Sequence, residues 1–191
     1  MRVATRRLRS TLRSFAPMLT GDLDALHEEV KWVTGLLGAV RDTDVMGERL
    51  DHLVHAEPAE LVLGPVAARI TSLLAAQAAE ARKALTAGLD SPRYTALLND
   101  IDALVARTGP APRKRLMRLA RKAQRRADGR LDAATSDAEM HESRKAYKRA
   151  RYAAELVAPV AGKPATALAD RITDLQDALG THQDAMVTAS C

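Results

Sequence analysis

RVATRRLRSTLRSFAP at residues 2–17 and RKAYKRARYAAELVAP at residues 144–159 align under one shift of 142 residues. The shift sets Arg2 on Arg144, Ala4 on Ala146, Arg6 on Lys148, Arg7 on Arg149, Arg9 on Arg151 and Pro17 on Pro159. Carried onward without a gap, it sets Leu26 on Leu168, Leu37 on Leu179, Gly38 on Gly180, Asp42 on Asp184 and Val45 on Val187. Charge runs alone can coincide by chance. A basic helix, a proline break and a following Leu-Gly-x-x-x-Asp in the same order imply a duplicated helical hairpin. The expected fold is all-α, with two helical bundles related by a pseudo-twofold axis.

Working outward from the repeat, apolar residues recur at helical spacing through most of the chain. Helices are predicted at 1–19, 23–41, 44–56, 65–88, 92–107, 112–128, 137–158 and 165–190. Ser91 before Pro92 reads as an N-cap followed by proline at N1, Gly88 as a helix stop, and Ser136 with Glu139 as a capping box. Thr108 to Pro112 (TGPAP) is the clearest hinge. It divides the chain into halves at 1–108 and 109–191, which together make one domain.

Aromatic residues make up only 3% of the 191, so the core must be built from Ala, Leu and Val, which suits closely packed helices. The single cysteine, Cys191, has no partner in the chain for a disulfide or a Cys metal cluster, which fits a reducing compartment. No stretch reaches the roughly 18 apolar residues that span a bilayer, and the Arg-rich N-terminus has no secretory apolar core. A cytoplasmic protein without membrane contact is expected. The net charge is only +5, but the positive residues are gathered into three segments.

At about 100° per residue, Arg2, Arg6, Arg9 and Arg13 form a stripe on the first helix, with Leu8, Leu12, Phe15 and Leu19 on another face. His141, Arg144, Lys148 and Arg151 form the second, with Glu155 where the first copy has Arg13. The run RKRLMRLARKAQRR at 113–126 sets Arg115, Arg118, Lys122 and Arg125 opposite Leu116, Leu119 and Ala123. Lys31 and Lys145 complete the basic candidates. A solvated outer face is the ordinary reading of such stripes. Here it fits poorly, because neither 2–13 nor 113–126 holds an acidic residue, and like charges at i, i+4 destabilise a helix by a few tenths of a kcal/mol per pair. Arginine outnumbers lysine in both runs, and its planar fork matches pairs of phosphate oxygens. The stripes therefore predict a phosphate-bearing polyanion, gripped where Arg2/Arg6/Arg9/Arg13 and Arg144/Lys148/Arg151 face one another across a shared cleft.

These residues resemble the CHAD family. Met1 to Arg13, followed by Leu37 to Val45, is similar to its first motif. His141 to Glu155, with Leu175-Gln176 and Leu179-Gly180 through Asp184 behind it, is similar to its second. The resemblance implies two related bundles around a basic cleft or pore that binds inorganic polyphosphate, in proteins found at polyphosphate granules and often fused to a triphosphate-tunnel domain. A polyphosphate-metabolising enzyme is an alternative partner. The family's first motif usually carries a histidine three residues before the position of Arg2, which this chain begins too late to contain. Members also generally continue beyond the position of Asp184, so the second bundle is expected to be short.

The remaining residues have plainer readings. His141 is either a phosphate contact or a helix-start capping residue, and His27, His52 and His55 read as surface residues. His182 matches Val40 in the repeat, which argues against a role shared by both halves. Arg7 and Arg149 point away from the stripes and are expected to brace Asp42 and Asp184, while Gly38 and Gly180 are expected at close helix contacts or bends. No set of residues suggests a metal or cofactor, since Asp42 with Asp44 is too small a cluster. Hydrolysis would need metal-binding carboxylates or an activated nucleophile, so the chain is expected to be a non-catalytic binder. Nucleic acid is the rival ligand, but aromatic stacking platforms are scarce and no docking motif is present.

Overall fold

The computed structural model describes residues 1–58, 62 and 64–189, with backbone only for 180–189. Among them the chain forms seven α-helices and no strand. These are α1 (Arg2–Phe15), α2 (Leu23–Ala56), α3 (Val66–Leu89), α4 (Pro92–Arg107), α5 (Arg113–Asp132), α6 (Asp137–Ala161) and α7 (Lys163–Ala189). They divide into two compact units, Met1–Arg6 with Asp24–Val105 and Arg7–Leu23 with Ala106–Cys191.

In the first unit, Leu26, Val30, Val33 and Leu37 form the buried stripe of α2, spaced by three and four residues. Buried Ala78, Leu97 and Leu104 come from α3 and α4. Arg93 of α4 grips Glu29 of α2 with two hydrogen bonds, 2.6 and 3.0 Å, and its guanidinium lies over the Trp32 ring at 4.2 Å. Ser91 caps α4 by accepting from the Tyr94 N–H at 3.3 Å, with Pro92 as the first helical residue.

Two helices were expected at 23–41 and 44–56, yet α2 runs unbroken through both. The Arg41 to Asp44 junction contains neither Pro nor Gly, and the Thr43 hydroxyl turns back to the Val40 carbonyl at 2.7 Å instead of capping a new helix. His27, read as a surface residue, is buried on α2 beside Leu26. Gly38 does not sit at a close helix contact: a Cβ added there would meet nothing within 4 Å. Gly88 does sit at one, because a Cβ there would run into Leu36 Cδ1 and lie 3.5 Å from Trp32 Cζ2. Helix α3 passes through Gly88 and ends at Leu89.

The core of the second unit is built on α6, whose Ala146, Ala150, Ala153, Ala154, Val157 and Ala161 are all buried. Small side chains let α5 and α7 approach closely, contributing Met117, Leu119, Ala120 and Ala127 on one side and Ala165, Leu168, Ala169 and Ile172 on the other. Phe15, at the end of α1, inserts into the same cluster. The capping box at Ser136 and Glu139 starts α6, as the sequence predicts, and hydrogen bonds from Thr135 and Ser136 hold the Glu139 carboxyl below its ordinary range. The matched prolines act differently. Pro17 lies in a 3-10 turn, Ala16–Met18, that follows the end of α1, whereas α6 continues through Pro159 to Ala161. In the last turn a proline removes a single backbone bond. Gly162, at φ 67, then ends the helix with its N–H on the Ala158 carbonyl at 2.8 Å.

Candidate anion-binding site

Within the second unit, α1 is pinned to α6 along a short seam. The Ser10 hydroxyl donates to the Arg149 carbonyl at 3.1 Å, Arg7 pairs with Glu155 at 2.7 Å, and Leu12 is buried. Helix α5 is fixed against the same framework at both ends. The Arg113 and Arg115 guanidiniums donate to the Ala161 and Pro17 carbonyls at 2.7 and 2.8 Å, satisfying acceptors at or just beyond the ends of α6 and α1. The buried Tyr147 hydroxyl donates to Asp128 Oδ1 at 2.8 Å and ties α6 to α5. Burial, and then this hydrogen bond to a carboxylate, push the Tyr147 hydroxyl well above the ordinary phenol range.

Between these three helices lies a cavity of about 550 Å³. Its apolar floor is Leu119, Ala123 and Ala146, and its cations are Arg13 from α1, Lys122, Arg126 and Arg130 from α5, and Arg149 from α6. Ser14 completes the lining, and among the described residues no carboxylate does so. None of the five cations forms an ion pair among the described residues. The Arg149 pKa is lowered first by burial, then by repulsion from Arg130 and Arg13, with Glu142 partly opposing. The half-buried Arg149 guanidinium, repelled by the exposed Arg13 and Arg130, sits in an environment that an anion would relax.

This set differs from the one read in the sequence. Arg13 and Lys122 were predicted site residues and line the cavity. Arg149 was assigned to bracing Asp184, yet it lines the cavity; the Asp184, His182 and Gly180 side chains lie outside the described residues. Arg7 forms its ion pair with Glu155, in place of the expected Asp42. Arg126 and Arg130 were missing from the candidates. The signal for them is the i, i+4, i+8 spacing of Lys122, Arg126 and Arg130; ending the helix at 128 hid Arg130, since α5 continues through Gly129 to Asp132, and Arg126 was passed over for its neighbour Arg125.

The other candidates lie outside the cavity lining. Lys31 and Lys145 are paired with Glu28 and Glu142, three residues earlier, at 2.7 and 2.6 Å. Arg115 is engaged by the Pro17 carbonyl, and Arg118 and Arg125 are exposed on α5. Arg2 and Arg9 are half-buried and Arg6 is exposed on α1. On α6, His141 and Lys148 are exposed, Arg144 is half-buried, and Arg151 stands 3.6 Å from Glu155.

Two proteins of Mycobacterium tuberculosis, Uncharacterized protein MT2285 of strain CDC 1551 / Oshkosh and Uncharacterized protein Rv2226 of strain ATCC 25618 / H37Rv, are each 29% identical over 201 residues. The match takes in 98% of this chain but 38% of the length of those relatives. PptA from Streptomyces chartreusis has a similar fold, with a TM-score of 0.74 and 24% identity over 99% of this chain and 72% of that one. The CHAD domain model matches residues 1–191 from end to end, and the chain belongs to the CHAD domain family.

Proposed function

We propose that this domain binds inorganic polyphosphate without cutting it, and that the cavity between α1, α5 and α6 grips the polymer. The observation that carries the reading is the convergence of Arg13, Lys122, Arg126, Arg130 and Arg149 on one concavity with no carboxylate among its described lining residues. A polymer with a charge on every phosphate suits such a site, and four of the five cations are arginines able to bind phosphate oxygens in pairs. The floor of Leu119, Ala123 and Ala146 offers no ring on which a base could stack, which favours polyphosphate over single-stranded nucleic acid. Among the described lining residues Ser14 carries the sole hydroxyl and has no base beside it, which supports holding over hydrolysis. The same reading places the protein in the cytoplasm at polyphosphate granules, beside a triphosphate-tunnel domain or a polyphosphate-metabolising enzyme.

The test is competition of long-chain polyphosphate, RNA and duplex DNA for the purified protein, with phosphate release followed in Mg²⁺ and Mn²⁺. Polyphosphate is expected to displace both nucleic acids and to remain intact. Equal or better binding of RNA or DNA would transfer the site to nucleic acid. Metal-dependent phosphate release that survives purification would make the protein an enzyme.

A further inference from the structure

The seam between α1 and α6 has two cationic flanks, and only one opens into the cavity. At about 100° per residue, Arg7 stands roughly 120° around α1 from Arg13, and Glu155 stands roughly 120° around α6 from Arg149. On the second flank, Glu155 Oε2 accepts from Arg7 Nη2 at 2.7 Å, while its Oε1 lies 3.6 Å from Arg151 Nε. The Tyr152 ring backs both guanidiniums, with centroid distances of 5.7 Å to Arg7 and 5.5 Å to Arg151. One carboxylate, its side chain 30% exposed, is thus shared by two arginines with a ring behind them. A phosphate held by the same pair would receive much the same contacts. The repeat sharpens the point, because Glu155 occupies the position matched to Arg13, so a cation in one copy is replaced by an anion in the other.

We propose that Glu155 is a specificity-determining residue that sets the edge of the polyanion track. Its carboxylate occupies Arg7 and Arg151 as an internal substitute for phosphate and confines the ligand to the flank of Arg13 and Arg149. This rests on the polyphosphate reading of the cavity and adds which cations the polymer does not reach. Removing the carboxylate charge makes two further cations available, so the polymer contacts a longer track and displaces more counterions.

The experiment measures long-chain sodium polyphosphate binding against NaCl concentration for the parent, Glu155→Gln, Arg7→Gln and the double variant, with melting curves for each. Glu155→Gln is expected to bind severalfold more tightly at low salt, with a slope of log K against log[salt] steeper by about one per cation released to the polymer. Adding Arg7→Gln to it should remove much of the gain. Arg7→Gln alone should keep the parent slope, because Arg7 is already occupied. That variant decides the matter even if Glu155→Gln does not fold. If the parent binds but a folded Glu155→Gln matches it in affinity and slope, or Arg7→Gln alone flattens the slope, the proposal is overturned and the cavity reading stands. A parent that binds no polyphosphate overturns both.

Discussion

Arg149 and Tyr147 sit two residues apart on α6 and show how differently neighbouring polar groups are used. Arg149 is half-buried beside Arg13 and Arg130, whose charges oppose its own. Arg149→Ala is therefore expected to weaken polyphosphate binding by about 1.5 to 3 kcal/mol, the range for a lost hydrogen bond to a charged group. Relief of the repulsion should leave the ligand-free melting temperature unchanged or higher. A calorimetric titration beside a melting curve checks both, and a large drop in stability would make Arg149 a strut. Tyr147 is the strut in this pair. Tyr147→Phe removes the bond to Asp128 and should cost about 1 to 3 kcal/mol while the salt slope of binding stays as in the parent. The raised pKa of this hydroxyl also gives a pH dependence. Its folded value lies above the ordinary 10.0, so its stabilisation is whole below about pH 10 and is lost as pH rises beyond that. The stability difference between parent and Tyr147→Phe should therefore shrink above pH 10, and a constant difference would contradict the buried, carboxylate-bonded hydroxyl.

Among the helices, glycine and proline decide lengths only where the backbone demands it. Gly38 and Gly129 lie inside α2 and α5, and a Cβ on either meets nothing within 4 Å. Gly162 ends α6 in a left-handed conformation, φ 67, that side chains rarely adopt. Gly38→Ala is accordingly expected to stabilise the protein by about 0.5 to 1 kcal/mol, and Gly162→Ala to destabilise it by about 1 to 2 kcal/mol. Denaturant melts of the two variants would show the opposite signs. A destabilising Gly38→Ala would restore the close contact expected there from sequence. The same distinction explains what was legible in the helices. Caps with side-chain chemistry, Ser91 and Ser136 with Glu139, are local and readable. Whether a helix passes through Gly129 or Pro159 depends on what packs beside it, which a window of sequence does not contain.

In the molecule as a whole, folding gathers five cations that the ligand-free protein leaves without ion pairs among its described residues. Folding and binding should therefore be linked. Polyphosphate at about 100 times its dissociation constant is expected to add about 2.7 kcal/mol to the stability of the unit that holds the cavity. Moderate salt should raise the melting temperature of the free protein by screening the cavity's repulsion, and lower that of the complex by competing for the polymer. Differential scanning fluorimetry over a salt series, with and without polyphosphate, would show the two trends crossing. Parallel trends would argue that the cavity cations are no more strained than a solvated surface.

The all-helical class, most helix positions and the family were written in local patterns: apolar spacing, capping residues and basic motifs that recur at one offset of 142 residues. These are properties of neighbouring residues along the chain, so they survive without knowledge of the fold. The cavity's membership was decided by tertiary packing. Arg7 and Arg149 are matched by the repeat, yet one meets Glu155 and the other faces Arg13 and Arg130, because what surrounds an arginine on a helix is set by the helix docked against it. A stripe on a helical wheel gives a direction in space. The rotation at which α1, α5 and α6 lock together, through Ser10, Arg115 and Tyr147, determines which of those directions converge.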